Sequence, residues 1–264
     1  MNNTPAYKRI AVKVGSSTLT HRATGKLNIR RMEMLVRTLS DIKNSGIEVV
    51  LISSGAVAAG ASKLSVSHRE RTLAEKQALA AVGQPELMSM YERLFAAYGY
   101  NVGQILMTRD IVEDPHRLEL VKNTFMKLLE LGCIPIVNEN DSISNDELKF
   151  GDNDTLSAYV ACVSDVDLLV NLTDIDGLYD CDPRENPAAR LIERVDDISS
   201  VSDFAKDAGT DVGTGGMVTK LRAASIVCQR GIPMIITNGS RPEMLYKICD
   251  GEKIGTYFVP RKDN

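Results

Sequence analysis

Residues 10–18 spell IAVKVGSST, an apolar run that ends in one glycine and three hydroxyl residues. A short run of Val and Ile bounded by a turn is typical of a strand buried on both faces. Residues 47–60, IEVVLISSGAVAAG, repeat the arrangement, and the small residues after Gly55 indicate that a helix begins at the turn. Two strands of this kind predict a sheet whose strands run parallel.

Short apolar runs continue to alternate with segments of helical period along the rest of the chain. Four more buried strands are predicted, at residues 102–107, 134–137, 168–172 and 232–237. A capping box, Thr72-x-x-Glu75, opens a long helical segment that Gly83 and Pro85 are expected to interrupt. The alternation predicts an α/β fold with a mainly parallel sheet. Periodicity is weaker over residues 174–216, which are expected to leave the main sheet.

Composition and charge disfavour several classes of protein. The 264 residues are 44% hydrophobic, enough for a large core, and no window approaches the roughly 18 apolar residues of a membrane span. The 31 basic and 35 acidic residues give a net charge of -4, which disfavours binding to nucleic acid or to an anionic membrane. The five cysteines are widely spaced, so neither a disulfide framework nor a zinc site is indicated. These features predict a cytoplasmic enzyme.

Lys13 and Ser54 stand at the carboxyl ends of the first two predicted strands, beside glycine turns. Open α/β sheets bind their ligands at this edge. Glycine lets backbone N–H groups approach phosphate oxygens, lysine supplies positive charge, and a helix that starts at the turn attracts anions. A solvated lysine after an ordinary turn, or tight packing of a helix on a strand, would explain the same residues. The two turns together favour an anion site.

Polar residues cluster after the strand predicted at residues 134–137. They read NEND at 138–141 and GDNDT at 151–155. Capping of a helix would need one such side chain, but not three. The surplus carboxylates and amides suit recognition of an amino acid, because a carboxylate pairs with an ammonium and amides hold carboxylates. An aspartate in this position can also orient lysines that bind phosphate.

Two further polar segments follow predicted strands or precede predicted helices. Thr173-Asp174 is a turn directly after the strand at residues 168–172, and turn chemistry alone would explain it. Residues 213–220, GTGGMVTK, form a glycine loop whose lysine could reach a second side of a transferring phosphoryl group. Neither the phosphate loop G-x-x-x-x-G-K-[ST] nor a complete dinucleotide fingerprint is present.

Taken together, these segments resemble the amino acid kinase family in order and approximate spacing over nearly the whole chain. The blocks are VKVGSSTLT, VVLISSGAVAAG, AVGQ, VNEND, KFGDNDTLSA, LTDIDGLYDCDPR and GTGGMVTKLRAA. The pattern is most similar to bacterial members that phosphorylate free glutamate. Val14 and Ser16 are mild departures, because leucine and threonine are more usual there. The chain ends at Asn264 without the carboxyl-terminal PUA domain of many members, so one kinase domain over residues 1–264 is expected.

The resemblance implies a three-layer α/β/α sandwich in which the acceptor and ATP meet over the carboxyl edge of the sheet. Lys13 and Lys220 would contact phosphates and neutralise charge on the transferring group, and Asp154 would hold both lysines in place. The residues implied for glutamate are Ser54, Asn138, Asp141 and Asn153, with Asp141 as the partner of the ammonium. The residues implied for ATP are Lys13, Gly15, Thr173, Asp174, Thr214, Gly215, Gly216, Met217, Val218, Thr219 and Lys220.

The resemblance also implies a reaction, in which ATP phosphorylates the γ-carboxylate of L-glutamate in the first step of proline biosynthesis. No general base is required, because the attacking group is already an ionised carboxylate. Mg²⁺ is expected to ride on the ATP phosphates, so no protein ligand for the metal is assigned. A homo-oligomer and feedback inhibition by L-proline are further expectations from the resemblance.

Three alternatives stay open. The acceptor could be aspartate, N-acetylglutamate or carbamate, although the carboxylate of Asp141 favours a free amino group. A nicotinamide-dependent dehydrogenase on a doubly wound sheet is disfavoured, because the dinucleotide fingerprint is missing. A non-catalytic amino-acid sensor on the same fold is disfavoured by the presence of Lys13, Lys220 and Asp154.

Overall fold

The computed structural model describes residues 6–21, 23–66, 71–145, 150, 152–201 and 216–261. Within these residues eight strands form one sheet, in the order β3-β4-β2-β1-β5-β7-β8-β6. Their bounds are β1 Arg9–Val14, β2 Glu48–Ser53, β3 Val102–Met107, β4 Ile134–Glu139, β5 Leu168–Thr173, β6 Arg194–Val195, β7 Met234–Asn238 and β8 Thr256–Phe258. Neighbouring strands are parallel except β7 and β8, which are antiparallel. The predicted mainly parallel sheet is confirmed.

Helices cover both faces of the sheet. The described helices are α1 Ser16–Leu19, α2 Ile29–Asn44, α3 Ala56–Lys63, α4 Leu73–Ala96, α5 Arg109–Glu113, α6 Pro115–Glu130, α7 Asn153–Val163, α8 Met217–Cys228 and α9 Met244–Cys249, with a 3₁₀ helix at Ile198–Val201. One apolar core packs α2, α4 and α9 on the sheet, and the other packs α6, α7 and α8 on the opposite face. Ile10 and Val12 of β1 point into the first core and Ala11 into the second. The α/β/α sandwich is therefore confirmed.

Helix α4 runs without a break from Leu73 to Ala96, so the predicted interruption at Gly83 and Pro85 is wrong. The capping box is confirmed: Thr72 Oγ1 accepts from the Glu75 amide at 3.3 Å, and Glu75 Oε2 accepts from the Thr72 amide at 2.9 Å. Gly83 serves packing instead of ending the helix, because a Cβ there would lie 1.8 Å from the carbonyl oxygen of Ala56 in α3. The two helices therefore touch backbone to backbone.

The segment after β5 leaves the sheet, as expected, and returns at its far edge. Tyr179 and Leu191 form an isolated antiparallel bridge, and β6 then pairs with β8. Strands β6 and β8, of two and three residues, escaped the sequence analysis because so short a run has no readable period. In the part of the chain that the structure describes, no helix combines the length and apolarity needed to cross a membrane.

Candidate active site

The polar residues singled out in the sequence meet at one edge of the sheet. Strand β1 lies between β2 and β5, with Lys13 opposite Ile52 on one side and Asn171 on the other. Because these strands are parallel, their carboxyl ends point the same way. Helix α7 starts beside this edge, where Asp152 caps it by accepting from the Thr155 amide at 2.8 Å.

Asp154, in the first turn of α7, is the centre of the site. One carboxylate oxygen, Oδ1, lies 2.5 Å from Lys13 Nζ, and the other, Oδ2, lies 3.1 Å from Lys220 Nζ. Asp154 has no exposed surface, while Lys13 and Lys220 are 7% and 6% exposed. Two buried ammonium groups thus share one buried carboxylate.

The contacts among Asp154, Lys13 and Lys220 shift the pKa values of Asp154 and Lys13. Burial is the largest influence on Asp154 and raises the pKa of its carboxyl, but Lys13 and Lys220 outweigh burial and hold that pKa well below the usual range. Burial lowers the pKa of Lys13, and the attraction of Asp154 opposes that effect. Asp154 is therefore ionised at neutral pH and acts as the fixed counter-ion of the lysines.

Asn171 and Thr219 complete the shell around Asp154. Asn171 Nδ2 donates to Oδ1 at 2.8 Å, and Thr219 Oγ1 lies 2.8 Å from Oδ2. Thr219 was among the residues implied for ATP, whereas Asn171 was missed because it lies inside β5, where it resembles any strand residue. The sequence signal that could have identified it is an asparagine inside the mainly apolar run LLVNLT, since asparagine is usually exposed.

Ser54, Asn138 and Asn153 are brought together beside this cluster. Asn153 Nδ2 donates to Ser54 Oγ at 2.6 Å and to Asn138 Oδ1 at 3.0 Å. Asn138 Nδ2 donates in turn to Oε1 of Gln84 in α4, at 3.0 Å. The block AVGQ that contains Gln84 was noted in the sequence without a role, so Gln84 was missed as a site residue.

A cavity of about 690 Å³ opens in front of these three side chains. Its walls include Asp141 and Asp152, and on other sides Lys26 and Lys76. Glu139 also reaches the wall, but its Oε1 accepts from Ser144 Oγ and the Phe150 amide, both at 3.2 Å, and so holds the loop after β4. The cavity therefore carries charges of both signs, as an amino acid requires.

Thr173 and Asp174 line a second, smaller cavity of about 450 Å³ on the other side of β1. Arg31 of α2 and Asn238 at the end of β7 share its walls. Thr173 is 7% exposed and its Oγ1 lies 3.3 Å from Asp174 Oδ1. The structure therefore separates this pair from Ser54 and Asn138, which line the larger cavity.

The remaining predicted residues lie at the starts of helices α1 and α8, close in sequence to Lys13 and Lys220. Gly15 precedes α1, and a Cβ at this position would lie 3.6 Å from Lys13 Nζ. Gly216 precedes α8, Met217 is buried and Val218 is 56% exposed. Thr214 and Gly215 lie outside the described residues. Among the described residues no group of three His, Cys, Asp or Glu side chains could hold a metal ion.

Comparison with known proteins relates this arrangement to a family. The sequence pattern described as "Amino acid kinase family" matches residues 8–238. Glutamate 5-kinase of Clostridium acetobutylicum is 52% identical over 254 residues, which are 96% of this chain and 95% of that protein. Glutamate 5-kinase of Carboxydothermus hydrogenoformans is 48% identical over 97% of this chain and 68% of its own length. The crystal structure of UMP kinase from Bacillus anthracis shares the fold, with a TM-score of 0.64, 19% identity and 97% coverage of both chains.

Proposed function

The chain belongs to the amino acid kinase family, and from that premise we propose that it transfers the γ-phosphoryl group of ATP to the side-chain carboxylate of L-glutamate. One observation carries the proposal: Lys13 and Lys220 are buried side by side on the single carboxylate of Asp154. The product is L-glutamyl 5-phosphate, an acyl phosphate that enters proline biosynthesis.

For this reaction the protein must align the glutamate carboxylate with the γ-phosphorus and supply positive charge to the transferring group. A carboxylate oxygen of glutamate attacks the γ-phosphorus while the bond from that phosphorus to the bridging oxygen breaks, and ADP leaves with the electron pair. Lys13 and Lys220 stabilise the charge on the oxygens of the transferring group, and Asp154 keeps their ammonium groups in position. The acceptor has no proton to remove, so the residues around Asp154 need not include a general base.

The larger cavity fits the acceptor. Asp141 supplies the partner for the substrate ammonium, and Ser54 with Asn153 supplies polar contacts near the transferring group. Lys26 and Lys76 place two ammonium groups on the walls, and neither has an ion pair with another described residue. We assign Lys76 to the α-carboxylate of glutamate, because an exposed cation on a cavity wall is suited to an anionic group.

The nucleotide belongs on the opposite side of β1. Thr173 and Asp174 are assigned to the adenosine side, and Gly15 and the segment 214–220 to the phosphates. The resemblance in sequence supports this part of the proposal, since Thr214 and Gly215 lie outside the described residues. Mg²⁺ is proposed to be held by the ATP phosphates and water, because magnesium keeps several waters and is usually bound through substrate phosphates.

The test is ATP consumption by the purified protein with Mg²⁺ and one of three acceptors: glutamate, aspartate or N-acetylglutamate. Hydroxylamine added to the assay traps an acyl phosphate as a hydroxamate. Hydroxamate formed with glutamate alone is the expected result. Formation with another acceptor alone would replace the substrate but keep the reaction, and no formation with any acceptor would favour the amino-acid sensor.

Regulation and assembly are proposed on the resemblance. We expect L-proline to inhibit the reaction, and an unchanged rate in millimolar-scale proline would contradict this. A homo-oligomer is proposed as well, and light scattering would test it. We also propose that residues 1–264 fold as one domain. A cytoplasmic location is consistent with the five cysteines, which are all unpaired.

A further inference from the structure

A chain of side-chain amides runs from the surface into the acceptor cavity. It starts at the exposed Gln104 of β3, whose Oε1 accepts from Gln84 Nε2 at 3.2 Å. Gln84 Oε1 accepts from Asn138 Nδ2 at 3.0 Å, and Asn138 Oδ1 accepts from Asn153 Nδ2 at 3.0 Å. The chain ends at Ser54 Oγ, 2.6 Å from Asn153 Nδ2. Gln84 is 8% exposed and Asn138 2%, so water cannot readily replace these contacts.

Each link fixes the direction of the next. An amide side chain carries donors on nitrogen and an acceptor on oxygen, so Asn138, once its nitrogen faces Gln84, must turn its oxygen toward Asn153. Asn153 then uses both hydrogens of its nitrogen, one for Asn138 and one for Ser54. Ser54 Oγ is therefore an acceptor within the chain, and its own hydrogen is left to point into the cavity.

The backbone around Gln84 is held rigidly. The preceding residue is Gly83, and a Cβ on it would lie 2.4 Å from the amide nitrogen of Gly60 in α3. A Cβ on Gly60 would lie 2.0 Å from the carbonyl oxygen of Leu79. Because α3 follows directly after Ser54 and Gly55, this contact sets the distance between Gln84 and Ser54.

We propose that Gln84 is a positioning residue that makes the hydroxyl of Ser54 a donor to the acceptor carboxylate. An ionised carboxylate only accepts hydrogen bonds, so its partner must be a donor. When the oxygen of Ser54 already accepts from Asn153, the hydroxyl hydrogen of Ser54 is directed away from Asn153 and can be donated to the carboxylate. A serine that rotates freely has no such preferred direction. Gln84 acts through Asn138 and Asn153 and does not touch the substrate. The inference rests on the proposed function to the extent that it takes the ligand of Ser54 to be a carboxylate.

Two substitutions at one position test the inference. Gln84→Glu keeps an oxygen opposite Asn138 Nδ2, and the exposed amide of Gln104 can turn its nitrogen toward the new carboxyl group. Gln84→Met has similar length but no acceptor, and it leaves Asn138 Nδ2 buried without its partner. We expect the KM for glutamate to rise about tenfold in Gln84→Met, as for loss of one partner of a buried hydrogen bond, and to stay within about threefold in Gln84→Glu. The KM for ATP should not change in either variant. Gln229→Met makes the same substitution at an exposed glutamine and is the matched control.

A second measurement does not depend on turnover. The side-chain NH₂ signal of Asn138, assigned by its loss in Asn138→Asp, should exchange slowly with solvent in the wild type and in Gln84→Glu, and faster in Gln84→Met. If Gln84→Glu raises the KM as much as Gln84→Met while both keep the wild-type melting temperature, the proposed direction of the chain is wrong. If the Asn138 signal exchanges equally in all three proteins, Gln84 does not position Asn138. Failure of the wild type to phosphorylate glutamate would overturn the proposed function alone, because the exchange rates still decide the role of Gln84.

Discussion

The ammonium groups of Lys13 and Lys220 contact opposite oxygens of the same carboxylate, that of Asp154, at 2.5 Å and 3.1 Å. One lysine comes from the central strand β1 and the other from helix α8, so the carboxylate joins two elements that are far apart in the sequence. A carboxylate that accepts from both sides keeps two like charges close together, which repulsion alone would separate.

Removal of either lysine should slow the chemical step. Lys13→Ala or Lys220→Ala deletes one cation next to the transferring phosphoryl group, and we expect kcat to fall by about 10² to 10³, as for removal of a donor to developing charge. Steady-state kinetics with saturating ATP and glutamate measures the change. Lys253→Ala, at an exposed position, is the control, and a Lys220→Ala variant with normal kcat would rule out the assignment.

Asp154→Asn should destabilise the fold at neutral pH, because two buried ammonium groups lose their counter-ion. We expect a loss on the order of 3 kcal/mol in the free energy of unfolding, as for a buried ion pair with one partner removed. The pKa of Asp154 is depressed in the folded protein, so its contribution is present above the unfolded value, about 4, and is lost as the pH falls further.

Urea unfolding of the wild type and Asp154→Asn at pH 7 and at steps below pH 4 tests this dependence. The difference between the two proteins should be largest at pH 7 and should shrink as the pH is lowered. Asp250→Asn, at an exposed aspartate, controls for the loss of one negative charge. A difference that is constant with pH would mean that Asp154 is not the ionised partner of the lysines.

Lys76 should recognise the α-carboxylate of the acceptor. Lys76→Gln removes a cation from the wall of the acceptor cavity, and we expect kcat/KM for glutamate to fall about tenfold, in the range for hydrogen bonds to charged groups. With 4-aminobutyrate, which lacks the α-carboxylate but keeps the amine and the reacting carboxylate, kcat/KM should be equal in the two proteins. An equal loss with both acceptors would show that Lys76 acts in another way.

The contact between α3 and α4 leaves no room for a side chain at Gly83. Gly83→Ala places a Cβ 1.8 Å from the carbonyl oxygen of Ala56, and backbone atoms on both sides cannot move independently. We expect a loss of about 3 kcal/mol in stability, at the upper end for an overpacked core, together with a higher KM for glutamate as Ser54 shifts.

Thermal and urea unfolding of Gly83→Ala measure the stability change, beside the same kinetic assay. Ala81→Gly, an exposed site on the same helix, should cost only about 1 kcal/mol through helix propensity and should leave the KM unchanged. A Gly83→Ala protein as stable as the wild type would mean that α3 and α4 can separate without consequence.

Local patterns in the sequence predicted the strands well. Six strands fall within two residues of their predicted bounds, because each is an apolar run closed by turn residues. The short strands β6 and β8 could not be found, since they depend on pairing at the sheet edge and not on their own residues. Gly83 was wrongly predicted to interrupt α4, because the contact that requires a glycine there is made with the backbone of α3.

The site residues also divide into those that the sequence identified and those that depend on distant contacts. Asp154 and the two lysines stood out in the resemblance, and the structure brings them into contact. Asn171 and Gln84 did not stand out, because their partners are 17 and 54 positions away in the chain. Hydrogen bonds between distant positions leave no periodic trace in a single sequence, so the partners of Asn171 and Gln84 appear only in the folded chain.

Strand β1 pairs with β2 on one side and with β5 on the other, so Lys13 stands between the strand that leads to the larger cavity and the strand that leads to the smaller one. Residues in and after β2 and β4 line the larger cavity, residues in and after β5 and β7 line the smaller one, and helix α1 contributes to both. On the proposed assignment of the two cavities, a change of acceptor requires substitutions in β2, β4 and the loops that follow them, whereas β5 and β7 can stay as they are.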